Sequence, residues 1–381
     1  MHVIVSADEF AKGVGGVTAS ELLADGVQAA DPTGQVDVWA FPPEGQLLES
    51  VQRSLGGVFH DIPVVDIFGQ PSKFRYLLVG EGPDQTAYVE TDRLFPPLAP
   101  VADGAKSLFT ATSFGLGEAL LHIMIAGISR IVLLVGRRMI CDGGIGMLQA
   151  LGAVVGNARG ETIPNDTNPL LEMRYIDTVK AALLLRRVNL TVMTDYLFTY
   201  SGADSFSPIE ALRYRFSQDQ KESIDQHPQE AQALLQTSQG TTIADVPGSG
   251  AGGGVVGALL AVGAQPAVSL APWLGDLVGF NKVLQHTDLL VTAAPVLTPV
   301  MGKIGRVMPL TRLARAAHVP VVIALQGDHT PDPELSQLFA DTYLTRVMGI
   351  MGSESIGIWR RGLRVAGSEL VTRFMAAQET S

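Results

Sequence analysis

The sequence predicts an α/β protein of two domains. One is assembled from both ends of the chain as a flavodoxin- or Rossmann-like parallel sheet, and the other is inserted into it. Three observations carry this reading. The first fifty or so residues alternate strand and helix patterns, which is the rhythm of a parallel sheet. The chain from about residue 265 onward resumes the same rhythm. Between the two, the pattern changes to successive strands separated by turn signals. A chain of 381 residues also exceeds one ordinary hydrophobic core. The expected boundaries are 1–55 with 265–381 for the discontinuous domain, and 56–264 for the insert.

Taken in order, HVIVS is a short apolar strand that ends at Asp8. A helix is expected from about Thr18 to Ala30, with Thr18 as N-cap and Glu21 three residues on. VDVWAF reads as a second strand and LLESVQRSL as a second helix. VFHDIPVVDIFG, FRYLLVGEG and TAYVET then read as strands of a more antiparallel region, followed by the proline-rich LFPPLAP. SFGLGEALLHIMIAG is a helical pattern leading into the strand RIVLLVG. RRMICDGGIGMLQALGA reads as a glycine-hinged loop and a helix, and LTVMTD as a strand ending at Asp195. The stretch from Ser205 to Gln239 is polar and helical, an expected exposed excursion. TDLLVTAA, LTRLARAAH, VPVVIALQG and TYLTRVMGI alternate strand, helix, strand and strand, and WRRGLRVAGSELVTRFMAAQ closes the chain as a helix.

Composition narrows the function classes. Apolar residues make up 46% and charged residues 17% of the chain, which is the balance of an ordered globular protein. The net charge of −11 argues against non-specific binding to nucleic acid or anionic lipid, although it leaves room for a local anion site. One cysteine, Cys141, excludes an internal disulfide framework and a multi-cysteine metal centre. The seven histidines show no paired metal spacing. The chain opens on a strand pattern rather than a charged and then apolar leader, so a cytoplasmic protein is expected. The uncharged stretch between Asp245 and Asp276 is broken by glycines, Pro266 and Pro272, and reads as a buried helix rather than a membrane span.

The densest signal is DVPGSGAGGGVVGALLAV, from Asp245 to Val262. It carries Gly248, Gly250, Gly252, Gly253, Gly254 and Gly257 ahead of an apolar helical run. Glycine is entropically costly, so this density needs a reason. Two uses remain open: a phosphate or carboxylate cradle of backbone N–H groups at a helix start, or a tight loop packed against another backbone. Gly248, Gly250 and Gly253 match G-x-G-x-x-G, but the preceding GTTIADVP is no strand, so a dinucleotide fingerprint is rejected. A P-loop is absent because no Gly-Lys-Ser or Gly-Lys-Thr follows.

The order VIVSADEF, IFGQPSKFRYLLVGEGPDQTAYVE, ATSFGLGEAL, DGGIGMLQALGA, DVPGSGAGGG and VMGKIG resembles the bacterial glycerate kinases of the two-domain α/β type. The resemblance covers nearly the whole chain. It implies transfer of the γ-phosphoryl group of ATP to a hydroxyl of glycerate, with ATP and Mg²⁺ as cofactors. It also implies an active site in the cleft between two α/β domains. The departures are specific. The family's Asp-Gly-Gly-Glu-Gly-Thr is Pro42, Pro43, Glu44, Gly45, Gln46 and Leu47 here. Its Gly-Gly-Ser-Ala-Thr-Asn is Gly136, Arg137, Arg138, Met139, Ile140 and Cys141. Its Gly-Glu-Gly-Arg-Leu-Asp is Ala293, Ala294, Pro295, Val296, Leu297 and Thr298, without the acids or the arginine.

Phosphoryl transfer needs carboxylates for the metal, donors for the phosphates and a group that orients the attacking hydroxyl. With that resemblance, position at strand ends and in glycine loops assigns Asp8, Asp142, Asp195 and Lys303 to catalysis, while each acid taken singly also reads as a helix cap or loop residue and each lysine as a solvated surface charge. Glu44 and Asp142 fall to Mg²⁺, and Gly248, Gly250, Gly252, Gly253, Gly254, Lys12, Arg137 and Arg138 to ATP. These groups are expected to converge on one pocket. The loss of acids and arginine implies weakened turnover, and a catalytically impaired relative acting as a binding or regulatory protein is the alternative. Separately, Ala111-Thr-Ser113-Phe-Gly115 is one glycine short of a nucleophile elbow, which would make Ser113 a hydrolase nucleophile.

Overall fold

The computed structural model describes residues 1–11, 13–39, 42, 45–95, 110–136, 140–205, 218–240, 242–244, 246–299, 307–327, 332–339, 344–347 and 356–379. The chain divides into a terminal unit, Met1–Pro42 with Ala271–Ser381, and an inserted unit, Pro43–Leu270.

The chain begins with β1 (His2–Val5), α1 (Gly16–Ala30) and β2 (Gln35–Val38). The inserted unit then runs through α2 (Leu47–Leu55), β3 (Val58–Val65), β4 (Pro71–Val79), β5 (Thr86–Glu90), α3 (Phe114–Ile125), β6 (Arg130–Leu134) and α4 (Ile145–Ala150). It continues with β7 (Val154–Gly156), β8 (Tyr175–Asp177), α5 (Val179–Leu185), β9 (Asn189–Met193), α6 (Gln218–Gln239) and α7 (Val255–Ala261). After α8 (Leu270–Leu277) come α9 (Phe280–Leu284), β10 (Leu289–Ala294), α10 (Val307–Ala316), β11 (Val321–Gln326), α11 (Pro333–Ser336), β12 (Leu344–Val347) and α12 (Ile356–Glu379).

The terminal unit is a five-stranded sheet in the order β12-β11-β10-β1-β2, parallel throughout. Val3 pairs with Leu289 and Val291 with Val322, so both chain ends share one sheet, as the alternating rhythm implies. Every residue of β10 is buried, the signature of a parallel strand covered on both faces. On one face Val3, Val5, Leu289 and Val291 pack with Leu23 and Val27 of α1 and Leu363 and Leu370 of α12. α1 and α12 approach closely because Gly26 and Gly367 lack side chains. A Cβ on Gly26 would lie 1.9 Å from the Arg364 carbonyl oxygen. On the other face Ile4, Leu290, Ile323 and Leu325 pack with Phe280, Met308, Leu310 and Ala314.

The inserted unit holds a mixed sheet in the order β3-β4-β5-β6-β9. The first three strands are antiparallel and the last three parallel. The antiparallel texture read from the sequence is therefore half of this sheet, and helix α3 carries the chain across to the parallel half.

Three local expectations are revised, and one strand pair is new. The α1 helix starts at Gly16 with Gly15 at the N-cap and no side-chain cap, so Thr18 is a first-turn residue. The glycine start lets the turn pass the Ala7 carbonyl oxygen, which a Cβ on Gly16 would meet at 2.5 Å. Helix α2, grouped with the terminal strands by rhythm, packs on β4 and β5 and belongs to the inserted unit. Helix α6 is not wholly exposed, because Ala231 and Leu235, four apart on one face, are buried. The new pair is β7 and β8, antiparallel strands of three residues each, too short to show a period.

Candidate active site

In the terminal unit's own chain order the sheet runs 2-1-3-4-5, so the strand order reverses between β1 and β10. Open α/β sheets bind ligands outside the carboxyl ends of their strands at such a reversal. The Ser6 N–H donates to the Val291 carbonyl at 3.0 Å and the Asp8 N–H to the Ala293 carbonyl at 3.4 Å. These bonds hold Asp8 at the carboxyl edge beside the end of β10. The loop behind it is closed by Ser20. Its Oγ accepts the Ala7 N–H at 2.8 Å and donates to the Gly16 carbonyl at 2.7 Å.

The second assembly lies wholly within the inserted unit, around Asp142. This carboxylate is fully buried. Its Oδ2 accepts the Ser113 N–H at 2.6 Å, the Ser113 hydroxyl at 2.7 Å and the Gly146 N–H at 3.2 Å. Its Oδ1 accepts the Gly144 N–H at 2.9 Å. Burial pushes the Asp142 carboxyl up from 3.8, and the Ser113 and glycine donors pull against that shift. The Ser113 hydroxyl also accepts the Met147 N–H at 2.8 Å. Asp142 and Ser113 therefore join the start of α3 to the turn that opens α4.

This geometry bears on two expectations. The Asp142 carboxylate has no exposed surface and spends its oxygens on four protein donors within 3.2 Å. Ser113 is likewise fully buried and spends its hydroxyl on Asp142, so the hydrolase reading fails. Among the described residues no group of three or more His, Cys, Asp or Glu side chains is placed to hold a metal ion.

The glycine-rich stretch packs directly on this turn. The Tyr200 hydroxyl donates to the Gly143 carbonyl at 2.8 Å, and the Tyr200 N–H donates to the Ser249 hydroxyl at 2.8 Å. Tyr200 is fully buried, and burial drives its phenol far above the usual range. A Cβ on Gly250 would lie 2.1 Å from the Thr199 carbonyl oxygen, and one on Gly253 would lie 1.6 Å from that of Ile140. One on Gly254 would lie 2.6 Å from the Gly143 Cα. Gly248, Gly252, Gly253 and Gly254 all have positive φ. The N–H groups of Ser249, Gly250, Ala251, Gly253 and Gly254 donate to protein carbonyls. Of the two uses left open by the sequence, close backbone packing accounts for these glycines. The cradle role for Gly248, Gly250, Gly252, Gly253 and Gly254 has most of its donors already engaged.

Asp195 lies two residues beyond β9. Its Oδ1 accepts the Ser269 hydroxyl at 2.6 Å and the Leu270 N–H at 2.9 Å, which caps the start of α8. Lys12, Glu44, Arg137, Arg138 and Lys303 lie outside the described residues. The structure thus brings Asp142 together with the glycine stretch in the inserted unit and places Asp8 in the terminal unit. Sequence reasoning missed Tyr200, Ser249 and Glu90. Tyr200 carries no motif, Ser249 stands inside the glycine-rich stretch as one of its unspecified positions, and Glu90 at the end of TAYVE could have been found only from a charged residue closing an apolar strand.

Comparison with known proteins agrees with this architecture. The profile described as the glycerate kinase family matches residues 3–355. A glycerate kinase of Bacillus subtilis (strain 168) is 25% identical over 329 residues, covering 84% of each chain. A glycerate 2-kinase of Escherichia coli (strain K12) is 24% identical over 335 residues, covering 87% of this chain and 86% of the other. A crystal structure of a putative glycerate kinase 2 from Salmonella typhimurium LT2 superposes with a TM-score of 0.63 at 20% identity. It covers 100% of this chain and 99% of that one, and shows the fold.

Proposed function

The chain belongs to the glycerate kinase family, and on that premise we propose that it transfers the γ-phosphoryl group of ATP to a hydroxyl of glycerate or of a related small hydroxy acid. The carrying observation is that the family match runs from residue 3 to residue 355 and so takes in all of the inserted unit and the terminal unit's strands from Val3 on, stopping before α12. Asp8, at the reversal of the terminal sheet, is the proposed residue that orients the attacking hydroxyl. Lys12, Arg137, Arg138 and Lys303 are the proposed phosphate contacts, each a cation beside a strand end or a glycine turn in the sequence. A cytoplasmic location goes with a substrate pair of this kind.

Turnover is proposed to be slow. Ala293–Thr298 replaces the acidic and arginine-bearing stretch of the family, and one lost preorganised electrostatic contact costs about 3 kcal/mol in the transition state. The test is ADP release by the purified chain with MgATP and D-glycerate. Turnover below about 1 per second is expected, against the usual enzyme range. Faster turnover would mean that Arg137 and Arg138 compensate, and replacing both by alanine should then abolish it. Absence of ATP binding by calorimetry would remove the kinase reading. ATP binding without turnover would favour the second reading, a relative that retains the fold for binding alone. The specific observation behind that second reading is the arginine pair at positions where the family has small residues.

A further inference from the structure

Two hydroxyls lie side by side at the reversal of the terminal sheet. Helix α1 packs on one face of this sheet through Leu23 and Val27, and α10 on the other through Met308, Leu310 and Ala314. The connections leaving β1 and β10 therefore part to opposite faces, which opens a crevice at the carboxyl ends of these two strands. Val5 pairs with Val38 and with Val291, and the parallel ladder continues past the strand ends. The Trp39 N–H donates to the Val5 carbonyl at 2.9 Å, and the Ser6 N–H to the Val291 carbonyl at 3.0 Å. Trp39, Ser6 and Thr292 thus stand in one row, which Ile323 of β11 completes.

Side chains alternate along a strand, so Ser6 shares its face with Ile4, and Thr292 with Leu290. Ile4 and Leu290 both belong to the apolar cluster under α9 and α10. The two hydroxyls are therefore neighbours on one face, one strand spacing of about 4.8 Å apart. Both residues are buried, and the Thr292 Oγ1 has no hydrogen-bond partner among the described residues. The cluster around them is apolar. It includes Ala294, Leu297 and Phe280, and the Trp39 ring stands edge-on to Phe280 with centroids 5.2 Å apart. An unpaired hydroxyl in such a setting lowers stability, which a valine of the same shape would not do. Asp8 brings a carboxylate to the same edge, two residues and about 7 Å beyond Ser6. A carboxylate beside neutral hydroxyls suits the hydroxyls of a ligand and repels its anionic groups.

We propose that this edge selects a hydroxy acid with two adjacent hydroxyls: Asp8 orients the first and Ser6 receives the second, with Thr292 as a positioning residue whose hydroxyl holds that of Ser6. The proposal rests on the kinase reading, in which Asp8 meets the attacking hydroxyl. A hydroxyl rotates to suit its neighbours, so the Thr292 hydroxyl can donate to Ser6 Oγ while Ser6 donates to the ligand. A site that hydrogen-bonds a substrate hydroxyl rejects an analogue lacking it, because its own polar groups are left unpaired.

The test is calorimetric binding to the full chain in the presence of Mg²⁺ and a non-hydrolysable ATP analogue. The probes are D-glycerate, D-lactate, which lacks the 3-hydroxyl, and 3-hydroxypropionate, which lacks the 2-hydroxyl. Wild type should bind D-glycerate at least about tenfold more tightly than either analogue. Ser6→Ala should weaken D-glycerate binding about tenfold and leave one analogue unaffected, the one without the hydroxyl that Ser6 receives. Thr292→Val should weaken D-glycerate binding about threefold while keeping or raising Tm, and Thr292→Ser should restore wild-type affinity. D-glycerate binding that neither Ser6→Ala nor Thr292→Val changes would overturn this proposal alone, as would equal wild-type affinity for the three acids or binding of nucleotide without D-glycerate. A lowered Tm in Thr292→Val would show a structural partner for its hydroxyl and overturn its positioning role. Wild type that binds neither D-glycerate nor the ATP analogue would remove the kinase reading and this proposal with it.

Discussion

Replacing Gly253 by alanine separates the two uses of the glycine-rich stretch. Gly253 sits at φ +74°, a left-handed conformation that costs an L-residue roughly 1–2 kcal/mol. Its Cβ would also fall 1.6 Å from the Ile140 carbonyl oxygen, a backbone atom that cannot rotate away. Overpacking of this kind costs about 1–3 kcal/mol once the neighbours shift. The two contributions together give about 2–5 kcal/mol of lost stability. Two companions divide the sum. Gly250 has an ordinary φ of −82° but a Cβ position 2.1 Å from the Thr199 carbonyl oxygen, so Gly250→Ala should show packing alone, about 1–3 kcal/mol. Gly248 has φ +87° and its nearest atom, the Tyr196 carbonyl oxygen, at 3.3 Å, so Gly248→Ala should show mainly conformational strain, about 1–2 kcal/mol. The assay is urea unfolding followed by far-ultraviolet circular dichroism. If the stretch served chiefly as an anion cradle, Gly253→Ala and Gly250→Ala would lose affinity for ATP well beyond what their loss of stability explains. Stability of Gly253→Ala and Gly250→Ala within about 1 kcal/mol of wild type would refute the packing account.

Ser113→Ala removes one donor from buried Asp142 and the acceptor of the Met147 N–H, so a loss of about 1–3 kcal/mol is expected in the same unfolding assay. A serine-directed fluorophosphonate should leave the native wild-type protein unlabelled, and labelling at Ser113 would reinstate a nucleophile there. The pH dependence centres on Glu90, whose carboxyl is raised from 4.5 chiefly by burial, against the pull of the Leu47 N–H and Arg93. The folded state therefore holds this proton more tightly than the unfolded state. Its stabilising contribution is full below 4.5 and is lost as pH rises through the folded value. Urea unfolding across that window should show a flatter slope for Glu90→Gln than for wild type, and equal slopes would contradict the raised value.

The fold was legible because its signals are local. Continuous apolar runs such as LLVTAA and VVIAL mark strands buried on both faces, and helices between them demand parallel crossovers. The return of that rhythm after the middle of the chain already implied a discontinuous domain. Local pattern could not say which sheet a helix covers. LLESVQRSL reads the same whether it packs on the terminal sheet or, as it does, on β4 and β5, where Glu90 holds its start. An aspartate in a glycine loop likewise reads the same whether it faces solvent, a metal or four protein donors.

The sequence by itself determined the α/β class, the two-unit layout and the family, since these rest on hydrophobic periodicity and on motifs kept in order. Tertiary structure alone decided what the polar residues and glycines do. Asp142 became a buried acceptor, Asp195 a helix cap, and Gly250 and Gly253 points of backbone contact. The physical reason is range: periodicity acts over one turn or one pleat. The role of a carboxylate or of a missing Cβ depends instead on atoms that approach it from distant parts of the chain, as Ser113 does Asp142, Ser269 does Asp195 and Ile140 does Gly253.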